Sequence, residues 1–113
     1  MAPARRAIPR EPRVRVNREL DSLFPGIREY ATDVSRSGAL FRCRRPPPVG
    51  SRVELAFSVI IDDIETIRGV GEVVRNEERP RGYGVRFLEL DSASRDVLAR
   101  LLARASERGE AYA

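Results

Sequence analysis

The most regular stretch of the chain is Arg52 to Val59, where Val53, Leu55, Phe57 and Val59 alternate with Arg52, Glu54, Ala56 and Ser58. A period of two predicts a strand with one face buried. Arg13-Val14-Arg15-Val16-Asn17-Arg18 alternates in the same way and predicts an earlier strand. After a turn at Phe24-Pro25-Gly26, a second strand is expected over Arg28 to Val34. A short third, Ala39 to Cys43, is closed by Arg44-Arg45-Pro46-Pro47-Pro48, since proline cannot donate to a ladder. Asp62-Asp63 supplies a turn, and a long strand follows from Ile64 to about Arg75, with Gly69 and Gly71 where a barrel bends or bulges. Asn76 to Gly82 reads as a charged loop, and Tyr83, Val85 and Phe87 alternate again before Leu90. The period then changes. Val97, Leu98, Leu101, Leu102 and Ala105 fall on one face of a helix capped by Asp91 or Ser92 and stopped by Gly109. Arg100, Arg104 and Arg108 lie toward its C-terminal half, where the helix dipole favours cations. Six strands and one terminal helix predict a mainly β fold, a small six-stranded antiparallel barrel with a C-terminal α-helix packed on it.

Length narrows this to one domain, because 113 residues suffice for a single core. Met1 to Pro12 holds three prolines and no apolar periodicity, so residues 1–12 read as a flexible basic arm. Barrel and helix then occupy 13–106, and 107–113 form a tail. No apolar run approaches the roughly 20 residues that span a bilayer. The N-terminus lacks the apolar middle of a signal peptide, so a cytoplasmic location is expected, without membrane insertion.

Composition removes several chemistries. The chain has no histidine and one cysteine, Cys43, which excludes a Ser-His-Asp relay, a zinc site of the usual type and an internal disulfide. All 21 basic residues are arginine, so a phosphate loop built on lysine and Schiff-base chemistry are also out. Asp62-Asp63 and Glu77-Glu78 lack the further ligands or partner base that metal binding or carboxylate catalysis needs, and read as turn residues. No enzyme is expected, and no cofactor.

Charge is unevenly placed. Residues 1–18 carry six arginines against Glu11 alone, a net of +5, while the other 95 residues, with 15 arginines and 16 acids, net −1. A localised excess implies an anionic partner more strongly than a high overall pI does. Within it, Arg6-Ala7-Ile8-Pro9-Arg10 sets two guanidinium forks four residues apart. Pro9 disfavours a helix there, and an extended arm places the two Cα atoms about 13 Å apart at roughly 3.3 Å per residue. Such forks suit phosphate oxygens and the O6/N7 edge of guanine. At the end of the second strand, Asp33-Val34-Ser35-Arg36-Ser37-Gly38 offers a carboxylate, a hydroxyl and a glycine that permits close backbone approach. The two segments together suggest an anionic nucleotide held between an arm and a β-scaffold. Alone, the arginines read as solvated charges and the Asp-Ser-Gly segment as an ordinary turn; the pairing favours ligand binding.

The ordered pair Arg-x-x-x-Arg and Asp-x-Ser-x-x-Gly resembles the signature of PilZ domains. Pro48 to Leu55, Gly71-Glu72-Val73-Val74-Arg75 and Gly82-Tyr83-Gly84-Val85-Arg86-Phe87 resemble that family's later strands, so the likeness runs from about Arg5 to Leu102. Phe24 to Val34 further resembles single-domain PilZ-like proteins of myxobacteria. The resemblance implies a six-stranded barrel that binds cyclic di-GMP, is not an enzyme, and acts through a protein effector in motility, polarity or biofilm control. It implies that Arg6 and Arg10 clamp phosphates and guanine. Asp33 would accept from the guanine N1 and N2 edge, Ser35 would bond base or phosphate, and Gly38 would admit the ligand. Arg5 is a peripheral contact on the same grounds. Ser37 stands where many relatives carry a second glycine. The alternative within the fold is a protein-interaction adaptor that does not bind the nucleotide. A barrel for long nucleic acids is disfavoured by the near-neutral body of the chain. Tyr30, Phe41, Tyr83 and Phe87 are expected in core packing, and Cys43 is expected to be inert.

Overall fold

The computed structural model describes residues 11–17 and 30–110. Within them lie six strands and a helix: β1 (Arg13–Arg15), β2 (Tyr30–Ser35), β3 (Gly38–Arg42), β4 (Arg52–Ile60), β5 (Ile64–Glu78), β6 (Arg81–Leu90) and α1 (Ser92–Glu107). All neighbours are antiparallel, and the order across the sheet is β1-β2-β3-β6-β5-β4. The sheet curls into a half-barrel. Its outer strands approach one another at Asn17, whose Nδ2 donates to the Ala31 carbonyl of β2 at 3.0 Å and to the Ser58 carbonyl of β4 at 3.1 Å.

The inside of the curl is the core. β4 behaves as its alternation predicts: Leu55, Phe57 and Val59 are buried, Val53 partly so, and Arg52, Glu54, Ala56, Ser58 and Ile60 face out. Phe57 meets Phe41 edge to face at 5.1 Å, and Phe41 stacks on Tyr83 at 5.4 Å. Phe41 is therefore a core residue, with Tyr83 and Phe87 packed against the same cluster. Cys43 is buried.

Helix α1 covers β5 with Val97, Leu98, Leu101 and Ala105. Asp91 is the N-cap, its carboxylate accepting from the Ser94 amide at 2.7 Å. Among the described residues Ser94 is the one buried polar side chain; its hydroxyl accepts from the backbone amide of Arg68 in β5 at 2.7 Å. At the other end the Glu110 amide reaches the Ala105 carbonyl and the Gly109 amide reaches that of Ser106, with Gly109 at φ +67°. This pair of bonds caps the last turn and requires the left-handed residue that the sequence places there.

One expectation is corrected. Asn76 to Gly82 is not a loop: β5 continues to Glu78 and β6 starts at Arg81, leaving a two-residue connection at Arg79-Pro80. Asn76, Glu78, Arg79 and Arg81 are exposed, so no apolar alternation marks the hairpin; backbone pairing sustains it, with Asn76 donating to the Pro47 carbonyl and Arg81 to that of Arg44. The bend expected at Gly69 and Gly71 is present as a register shift between Val70 and Gly71.

Candidate functional site

The sequence alone assigns Asp33 to a strand end but not to a face. Ala31 pairs with Phe41 and Asp33 with Leu40, so Thr32 is an extra residue in β2. This bulge reverses the phase of the strand. Ala31 and Val34 are both fully buried although three apart, and Thr32 and Asp33 lie between them, half-buried. Without the extra residue Asp33 would share the face of Ala31 and enter the core. With it, Asp33 and Ser35 point away from the core together.

On β1, Arg13 is the partner of Ser35 and Arg15 the partner of Asp33. Directly opposed residues in an antiparallel pair are nearest neighbours on one face, so two arginines flank the carboxylate and the hydroxyl. Beside them is a hollow of about 320 Å³ lined by Arg13, Asp33, Ser35, Gly38, Arg75 and Arg86, with Glu11 and Ser37 at its rim. Val74, 43 % exposed, adds apolar surface to its wall. Arg86 bonds Glu72 at 2.7 Å and Arg75 bonds Glu77 at 2.9 Å, each through a single nitrogen. Asp33 also borders a second hollow of about 370 Å³, shared with Arg15, Tyr30, Arg42 and Arg81. It stands between the two.

Ser35 and Gly38 have structural duties as well. The Ser35 hydroxyl donates to the Gly38 carbonyl at 3.3 Å across the β2–β3 turn. A Cβ on Gly38 would lie 2.2 Å from the Val85 carbonyl oxygen of β6, so the closeness of two strands already demands glycine there. The turn is held from β6 by the Phe87 amide, which donates to the Ser37 carbonyl at 2.7 Å. Asp33, Ser35 and Gly38 are thus brought together at one hollow. Arg5, Arg6 and Arg10 lie outside the described residues.

A family model described as the PilZ domain matches residues 4–104. The chain belongs to the PilZ family. No curated protein and no solved structure matches it. PilZ domains form a family of cyclic di-GMP receptors and adaptors that bind rather than catalyse. The matched span contains both motifs and the six strands described in this PilZ domain. Among the described residues no helix is long and apolar enough to cross a membrane.

Reading motifs alone misses four charged residues at the hollow: Glu11, Arg13, Arg75 and Arg86. For Arg13 a signal was present, since its alternation with Val14 and Val16 fixes its face. Arg75 and Arg86 reach the hollow because β6 runs beside β3 and β5 beside β6, which no local pattern encodes.

Proposed function

We propose that this PilZ domain is a cytoplasmic receptor for cyclic di-GMP that relays ligand occupancy to a protein effector, in the control of motility, polarity or biofilm formation. The observation that carries the reading is the outward placement of Asp33 and Ser35, beside Arg13, on a hollow of about 320 Å³. A carboxylate acceptor next to guanidinium forks is what a guanine with attached phosphates requires: the base offers two N–H donors and the phosphates take two parallel bonds from arginine. In this reading Arg6 and Arg10 bring the remaining cations from residues 1–12, acting as a flexible arm, and Arg5 touches the ligand peripherally. Asp33 reads the guanine edge, Ser35 bonds base or phosphate, and Gly38 leaves room for the approach. Ordering the arm over the ligand creates a surface absent from the free protein, which couples occupancy to effector choice. Placement among the myxobacterial PilZ-like proteins rests on Phe24 to Val34, of which residues 24–29 lie outside the described residues.

A second reading, an adaptor without nucleotide, is favoured by the engagement of Ser35 with Gly38 and of Gly38 with β6. Calorimetric titration separates the two. The receptor binds cyclic di-GMP with micromolar or tighter affinity and does not bind GTP in the same range. Asp33→Asn and Arg10→Ala each weaken binding by about tenfold or more, the size expected for loss of a charged hydrogen-bond partner. A folded protein that gives no heat with cyclic di-GMP is the adaptor.

A further inference from the structure

Among the first 18 residues Glu11 is the sole acid, following directly on Arg10. It lines the same hollow as Arg13, Ser35 and Arg86, and it accepts a hydrogen bond from the Ser37 hydroxyl. Asp33 has a use there as an acceptor for a base edge. A second carboxylate has no such use: phosphate needs donors and positive charge, and Glu11 repels it while occupying one of the donors. Both partners of the contact are exposed, so it opens readily.

We propose that Glu11 is a selectivity gate on this hollow, tolerating phosphodiesters of low charge and excluding nucleotides of high charge. The inference rests on the anion-binding reading of the site given above. Cyclic di-GMP carries one negative charge on each of two diester phosphates. A nucleoside triphosphate or inorganic pyrophosphate concentrates three or four charges in a smaller space, and every added charge increases the repulsion from a fixed carboxylate. The penalty for binding beside Glu11 is therefore smaller for the diester. Glu11 acts as a specificity-determining residue at the rim and stabilises nothing in the core, since it is exposed.

The test is titration of the native domain, Glu11→Gln and Ser37→Ala with cyclic di-GMP, GTP and inorganic pyrophosphate, at low and high salt. Backbone amide shifts of Gly38 and Arg86 report occupancy of the hollow. Glu11→Gln is expected to bind cyclic di-GMP about threefold tighter, and GTP and pyrophosphate about tenfold tighter, because the added repulsion scales with ligand charge. Both gains shrink at high salt, which screens exposed charges. Ser37→Ala, which keeps the charge and removes its seat, gives a smaller gain. Equal affinities of Glu11→Gln and the native domain for all three ligands overturn the inference, as does a gain that salt leaves unchanged. If cyclic di-GMP binds neither protein while the gain for pyrophosphate persists, the receptor reading fails and the gate stands.

Discussion

On the helix side of this PilZ domain, arginine and carboxylate meet as closed pairs. Arg100 of α1 takes both carboxylate oxygens of Glu65, and Arg104 takes both of Asp62 at the β4–β5 turn. Around the β2–β3 turn the same residue types are arranged differently. Arg75 and Arg86 each meet a carboxylate through one nitrogen, 2.9 and 2.7 Å away, and share a hollow with Arg13, Asp33 and Glu11. A guanidinium has five donors in a fixed plane. Two parallel bonds to one carboxylate complete a fork, whereas a single bond leaves the fork available to another anion. Closed pairs tie α1 to the sheet, and single contacts hold arginines on the hollow proposed above to take the ligand. Charge count alone does not separate these roles; geometry does.

The largest effect expected from breaking this contrast comes at the base of the hollow. In Gly38→Ala the new Cβ would meet the Val85 carbonyl oxygen at 2.2 Å. Backbone cannot rotate away as a side chain does, so β3 and β6 must separate. A loss of about 3 kcal/mol is expected, the upper end for an overfilled site. Gly50→Ala is the control. Gly50 has φ +93° and nothing within 4 Å of a built Cβ, so only backbone strain of about 1–2 kcal/mol is expected. Urea midpoints compare the two. Equal losses would show that the approach of β3 and β6 has slack, and would leave Gly38 to ligand contact alone. A loss of binding in Gly38→Ala accompanied by unfolding says nothing about contact, which makes Asp33→Asn the cleaner probe.

Much of the fold was legible because one face of most strands is buried. Val53, Leu55, Phe57 and Val59 announce β4, and Val97, Leu98, Leu101 and Ala105 announce α1, since burial imposes its period on sequence. The β5–β6 hairpin beyond Asn76 was not legible: it lies largely in solvent, where no period is imposed. At the site, residue types were legible and orientation was not. The facing of Asp33 depends on the extra residue Thr32, and a bulge leaves no mark in a segment as short as Tyr30 to Ser35. Nor did the helical dipole predict the partners of Arg100 and Arg104, which stand 35 and 42 residues away in the chain.

An intermediate effect is expected at Ser94, in the first turn of α1. It is 2 % exposed, and its hydroxyl is the acceptor for the Arg68 amide. Ser94→Ala leaves that amide without this acceptor at a partly buried position, an expected loss of about 1–2 kcal/mol. Hydrogen exchange at the Arg68 amide should accelerate while amides in the middle of β4 keep their protection. If stability is unchanged, water replaces the hydroxyl and α1 is held by its apolar face alone.

The smallest effect belongs to the closed pairs themselves. The Arg104 and Arg100 guanidiniums hold the carboxyls of Asp62 and Glu65 below their usual range, and the hydroxyl and amide of Ser94 do the same for Asp91. A carboxyl with a lower pKa folded than unfolded adds stability above the unfolded pKa. That stability is lost as pH falls through the folded value. All three contributions are therefore present at pH 7 and disappear in the acid range below pH ~4. Asp62 and Asp91 are exposed and Glu65 is half-buried at the surface, so each contact is weak and screened by salt. Arg100→Ala combined with Arg104→Ala is expected to lower Tm at pH 7 by a few degrees at most, and by nothing at a pH where the carboxylates are protonated. Melting curves of the native domain and the double variant across that range should converge in acid. If they stay parallel instead, the arginines act through the packing of their aliphatic stems on the hairpin, and the closed pairs add contact area rather than charge.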